Sequence, residues 1–155
     1  MATMVEILVA IAIVGLMLAM GINNSQQVRN RLVVMAVAED IRSGLRMAKA
    51  NAQSGKKDCA ACGAVGGVCG KGDAALDGWQ VTIMAGSYTV GGECGVVSFG
   101  QQTKDLPQGV VAEPSGVRVL FGLQGQVMGG PLTIALTGAG GVVTQVTVTT
   151  EGGIQ

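Results

Sequence analysis

Two sets of side chains in this 155-residue chain have types and spacings that point to chemistry. One is a lone glutamate, Glu6, abutting an uncharged apolar run over residues 7–22; the other is a quartet of cysteines, Cys59, Cys62, Cys69 and Cys94. A carboxylate beside sixteen apolar positions is expensive. Insertion into lipid costs about 2.5–3.5 kcal/mol for an acidic residue at a helix centre and less near an end. Such a group either sits at the level of lipid headgroups or meets a cation supplied by a partner. Among the cysteines, Cys59-Ala-Ala-Cys62 alone has the spacing of a redox motif or of half a zinc site. Zinc is disfavoured because Cys69 and Cys94 are no second close pair and the chain has no histidine. Haem attachment fails because Gly63, not histidine, follows Cys62.

Composition narrows the field further. The absence of histidine removes the commonest acid/base catalyst near neutral pH. No nucleophile stands near a base, and the glycine-rich stretch 63–72 lacks the strand–loop–helix context of a phosphate loop, so an enzyme is the least favoured class and no cofactor is expected. Ten basic side chains balance ten acidic ones, which argues against a general binder of nucleic acid or acidic membrane. A mean hydropathy of +0.48 excludes intrinsic disorder.

The zero net charge is a sum over three parts. Residues 1–22 carry only Glu6. Residues 23–58 carry seven basic and three acidic side chains, and residues 59–155 carry three basic (Lys71, Lys104, Arg118) and six acidic. The first part reads as an apolar helix about 24 Å long over residues 7–22, slightly short of a bilayer's hydrocarbon core. It is a poor signal peptide, since Glu6 is the only charge before the run and the first basic residue is Arg29.

Within the second part, residues 23–55 read as an amphipathic helix. Its apolar stripe is Val28, Leu32, Met35, Ala38, Ile41, Leu45, Ala48 and Ala52, at steps of three and four. No proline interrupts residues 1–53, so one helix of about 50 residues is expected, with Gly21-Ile22-Asn23-Asn24 as the place where it bends or melts. Gly55 is the expected stop, followed by Lys56 and Lys57.

Residues 56–155 read as a globular β domain with a Cys-rich loop at 59–75. Candidate strands are 79–84, 87–90, 94–99, 117–121, 131–137 and 142–150, separated by glycine-containing turns. The fold class is therefore α+β: a long N-terminal helix packed on a C-terminal antiparallel β domain.

The string Thr3-Met4-Val5-Glu6-Ile7-Leu8-Val9-Ala10-Ile11-Ala12-Ile13-Val14-Gly15-Leu16 resembles the start of mature type IV pilins and type II secretion pseudopilins. The likeness is one of position: a threonine, a glutamate three residues on, apolar residues throughout, and a glycine nine residues after the glutamate. Pro114-Ser115-Gly116-Val117-Arg118-Val119-Leu120-Phe121 with Gly125, and Val146-Thr147-Val148 with Gly153-Ile154, are similar to the C-terminal half of H-type minor pseudopilins and related minor pilins. Two departures lie at the ends of the apolar segment. The family's mature chain begins one residue nearer the glutamate, so either Met1 is an added initiator and Ala2 the first residue, or one extra residue remains. Asn23 stands where many relatives have proline.

The resemblance implies a structural subunit of an extracellular or periplasmic filament. In such systems a prepilin peptidase removes a leader and often methylates the new amino terminus. Subunits wait in the inner membrane with the apolar segment in lipid, and an assembly platform extracts them into a cell-surface pilus or periplasmic pseudopilus. Ala2, Thr3, Glu6, Gly15 and Gly21 would be the assembly residues, with Glu6 pairing to the N-terminal amine of a neighbouring copy. A β domain outside the cytoplasm favours two structural disulfides. An internal Cys-x-x-Cys bridge marks a redox site, so Cys59 and Cys62 are each expected to pair with Cys69 or Cys94. The alternatives are a minor pseudopilin of a type II secretion system and a DNA-binding minor pilin for DNA uptake. The mildly acidic outer part disfavours the latter. Four aromatics, Trp79, Tyr88, Phe99 and Phe121, with none in the helix, leave no stacked path for an electron-conducting fibre.

Overall fold

A single helix, α1, runs from Met4 to Gln53 without interruption. This computed structural model describes residues 3–63, 69 and 74–155, with the side chains of 18–25 outside the description. The helix is about 75 Å long at about 1.5 Å per residue. The helix does not melt at Gly21–Asn24: the backbone stays α-helical through those four residues. Two low-propensity residue types cost only about 1 kcal/mol or less each, too little to open a ladder of hydrogen bonds flanked by strong helix formers. The stop falls at Gly55. Its N–H donates to the Ala52 carbonyl (3.0 Å) and the Lys56 N–H to the Asn51 carbonyl (3.0 Å), with Gly55 left-handed at φ 64°. That is the double hydrogen bond that lets a glycine close a helix.

Among the described residues, the buried helix side chains all fall in its C-terminal two fifths. Val34, Val37, Ala38, Ile41, Leu45, Ala48 and Ala52 are buried, spaced by three and four as one helical face. The expected stripe holds from Ala38 onward but not before it. Val28, Leu32 and Met35 are exposed, and Val34 and Val37 take the inward positions instead. Val34 is the first described helix residue to be buried, and there Gly138 makes room: a Cβ on Gly138 would strike Val34 Cγ2. Towards the N-terminus the helix runs past the domain, whose β7–β8 turn reaches only as far as Gln27, Val28 and Arg31.

The described strands are β1 (Gly78–Ile83), β2 (Ser87–Cys94), β3 (Val97–Asp105), β4 (Val111–Glu113), β5 (Val117–Phe121), β6 (Val127–Met128), β7 (Leu132–Thr137) and β8 (Val143–Val148). They form two antiparallel sheets, one ordered β3-β2-β1-β5-β6 and one ordered β4-β7-β8. The fold is α+β, helix first and strands after. The expected strand 94–99 is split by a hairpin turn at 95–96: β2 ends at Cys94, Gly95 adopts φ 59°, and residues 97–99 open β3. Val127 N–H donates to the Thr150 carbonyl (2.9 Å), tying the rim of the large sheet to the end of the small one.

The helix lies across both sheets, touching β1, β2 and β5 of the larger and β7 and β8 of the smaller. Alternation sets which residues meet it: Val81, Ile83, Val119, Phe121, Ile134, Leu136, Val146 and Val148 are fully buried in one core with Ile41 and Leu45. Gly44 permits close approach, since a Cβ there would lie 3.0 Å from Tyr88 Cε2.

Candidate functional site

The projecting end of α1 is the candidate site, and its sequence explains its state. Residues 4–17 are apolar on every face except at Glu6, so no side of the helix is better suited than another to water. Every large apolar side chain from Met4 to Met17 is between 49% and 83% exposed. Gly15 adds a flat patch, with nothing within 4 Å of the place its Cβ would take. A mid-helix glycine costs about 0.5–1 kcal/mol but lets a second helix approach closely.

Glu6 sits in the first helical turn. Its Oε2 accepts a hydrogen bond from the Thr3 backbone N–H (3.2 Å), and Thr3 is the N-cap residue with an extended backbone. This is the carboxylate half of a capping box, and it places a negative charge at the helix N-terminus, where the macrodipole favours one. Glu6 thus has a role inside the chain that its spacing from Thr3 makes readable. Thr3 and Glu6 are brought together. Ala2 lies outside the described residues. Gly21 continues the helix backbone.

Among the described residues no helix is long and apolar enough to cross a membrane.

The cysteines form two disulfides, Cys59–Cys69 and Cys62–Cys94, with Cα separations of 5.0 and 5.7 Å. Neither bridge closes within Cys59-Ala-Ala-Cys62. Cys62 and Cys94 are both buried, so this bond staples the loop after the helix to the end of β2. Nearby, Trp79 Nε1–H donates to the Lys56 carbonyl (2.8 Å), and its ring meets Phe99 edge-on at 5.6 Å, which fixes the loop from the other side. Among the described residues no three or more His, Cys, Asp or Glu side chains gather as a metal site.

A polar cluster that local sequence patterns do not reveal locks the helix to the large sheet. The Tyr88 hydroxyl donates to Asp40 Oδ2 (2.9 Å), and Lys104 Nζ donates to Asp40 Oδ1 (2.5 Å). Burial alone would raise the Asp40 carboxyl, but the hydrogen bonds from Lys104 and Tyr88 and the Lys104 charge hold it below the usual carboxylate range. Burial, then the hydrogen bond to Asp40 and its charge, push the Tyr88 phenol well above its ordinary value. The two shifts act at opposite ends of the pH scale. Asp40 contributes stability that is present above its unfolded pKa of about 4 and fades as pH falls through its lower folded value. Tyr88 contributes fully below about pH 10 and loses that contribution as pH rises, because the unfolded chain ionises first. We predict that Tyr88→Phe flattens the loss of stability above about pH 10 and costs about 1–3 kcal/mol at neutral pH by leaving Asp40 short of a donor. Urea midpoints at neutral pH and above pH 10 check this; parallel curves for the two proteins would contradict it.

Comparison with family models, with curated proteins and with solved structures finds no match for this chain.

Proposed function

We propose that this chain is a structural filament subunit of the type IV pilin or pseudopilin kind, assembled by packing its projecting helix against those of neighbouring copies. The observation that carries the reading is the bare apolar helix: large side chains exposed on all sides from Met4 to Met17, on a helix that continues into a folded domain. Contiguous apolar surface of that extent requires cover. A bundle of like helices supplies it on all sides, whereas a single docking partner would cover one face. The resemblance of residues 3–16 to pilin amino termini supports the same reading.

In the proposed sequence of events the apolar segment first rests in inner-membrane lipid. It reaches only part of the hydrocarbon thickness, which makes removal by an assembly platform less costly than for a full span. A prepilin peptidase would prepare the amino terminus beforehand. Extraction into the fibre then exchanges lipid contacts for helix contacts, with Gly15 allowing close approach. Glu6 pairs with the N-terminal ammonium of a neighbour, which gives a carboxylate in an apolar core the partner it needs. The domain lies outside, on a cell-surface pilus or a periplasmic pseudopilus.

The test is sedimentation of the full-length protein as detergent is removed. Large, sedimenting assemblies made of folded protein are expected. Monodisperse monomers in the absence of detergent would overturn the reading.

A further inference from the structure

Just where the helix leaves the domain, its surface carries a basic and apolar collar. Val28 and Leu32 are exposed apolar side chains and Arg29 and Arg31 exposed cations. Val28 and Arg31 also line, with Gln27, Val142 and Val143, an open groove of about 490 Å³ between the helix and the β7–β8 turn.

The same end of the domain carries a second surface of opposite charge. Met84 and Val111 are exposed, flanked by exposed Asp105 and Glu113. Backbone contacts hold these four together around the β1–β2 turn. Ala112 N–H donates to the Ala85 carbonyl (3.1 Å), Leu106 N–H to the Gly86 carbonyl (2.8 Å), and Asp105 pairs with Ser87. The neighbouring cation Lys104 is already engaged by Asp40. None of Arg29, Arg31, Asp105 and Glu113 has an ion-pair partner among the described residues.

We infer that the collar groove of one copy receives the Met84–Asp105–Val111–Glu113 edge of a second copy, with Arg29 and Arg31 against Asp105 and Glu113. The inference rests on the filament reading and adds the contact that sets how neighbouring domains are placed. Because two different surfaces of one chain meet, the contact is heterologous and repeats without closing unless the rotation makes a ring. Both surfaces lie where the helix emerges, so the copies stand side by side with their helices alongside. Charge complementarity favours a second copy over an anionic lipid surface. Lipid would engage the arginines but leave the acidic edge without a role, and it would not select Asp105 and Glu113.

The test uses full-length protein with the collar reversed (Arg29→Glu with Arg31→Glu), with the edge reversed (Asp105→Lys with Glu113→Lys), and with all four changes. All four positions are exposed, and near-UV circular dichroism in detergent checks that each variant keeps the native domain. Facing like charges raise the critical concentration for assembly on detergent removal by about tenfold or more in either double variant. The quadruple variant returns it close to the wild-type value. Wild-type assembly should weaken as salt rises towards 1 M, where screening shortens to about 3 Å. If wild type assembles and the quadruple variant does no better than the doubles, the collar contact is wrong while the filament reading stands. The collar contact is equally wrong if only the collar reversal matters, which would assign the arginines to lipid or another partner. If wild type does not assemble at all, both fall.

Discussion

Replacing Glu6 by leucine is expected to raise the critical concentration for assembly by about a hundredfold or more while leaving the domain's unfolding unchanged. The physical basis is the uncompensated charge left behind. In a core of apolar helices, removing one member of a buried pair costs about 3–5 kcal/mol, since the surviving ammonium has lost its partner, and about 1.4 kcal/mol corresponds to tenfold in concentration. The domain is insulated because Glu6 lies about 40 Å along the helix from Val34, the first residue that the sheets bury. The Thr3 hydrogen bond to Glu6 offers a competing explanation in which the glutamate only caps the helix. Glu6→Gln separates the two, because glutamine retains a capping acceptor but not the charge. Assembly of the glutamine variant at wild-type concentrations would reduce Glu6 to a cap. Failure of both variants, with the domain intact, is the outcome that charge pairing requires.

Removing the Cys62–Cys94 bond has the opposite signature. The pair encloses 32 residues of sequence separation, against 10 for Cys59–Cys69. Loop-closure entropy then assigns about 3–4 kcal/mol to the longer bridge and about 2.5–3 kcal/mol to the shorter. Cys62→Ala with Cys94→Ala should lower unfolding free energy by the larger amount, read from urea midpoints, and the Cys59/Cys69 double alanine by the smaller. Since the bond is buried beside the end of β2, at the end of the domain far from the projecting helix, the concentration needed for assembly should not move in conditions where the domain remains folded. A loss below about 1 kcal/mol for the Cys62–Cys94 variant would mean that the bond does not constrain the unfolded chain as its span implies.

Much of the architecture is legible in the sequence because local rules and tertiary packing agree. The stop at Gly55 needs a residue with positive φ, and Ala38, Ile41, Leu45, Ala48 and Ala52 repeat with the helix period on the face the sheets cover. The edges of β5 and β7 coincide with apolar alternation and glycine turns. The failures also have reasons. Val28, Leu32 and Met35 continue the same period but are exposed, and periodicity alone does not say where a neighbouring layer ends. The stretch 100–105 is polar and carries no strand pattern, yet it forms most of β3 because an edge strand needs only one hydrogen-bonded neighbour and is exposed along nearly all its length. Strands β4 and β6, of three and two residues, are too short to carry a pattern.

The site divides in the same way. Glu6 beside its apolar run and the cysteine spacing are local signals. Asp40, Tyr88 and Lys104 come from the helix, β2 and β3, and only the packing of α1 on the large sheet makes them neighbours. The collar and the acidic edge are likewise dispersed along the sequence. Their residues read as ordinary surface charges until the exposed length of helix and the turn at Met84 to Ser87 place them at one end of the domain.

A three-dimensional reconstruction by electron microscopy of assemblies formed from the full-length protein addresses the central claim most directly. Helix packing as proposed predicts a fibre whose centre is a bundle of helices carrying residues 4–17, with the β domains on the outside. Assemblies whose helices point outward, or a preparation containing only folded monomers after detergent removal, would contradict it.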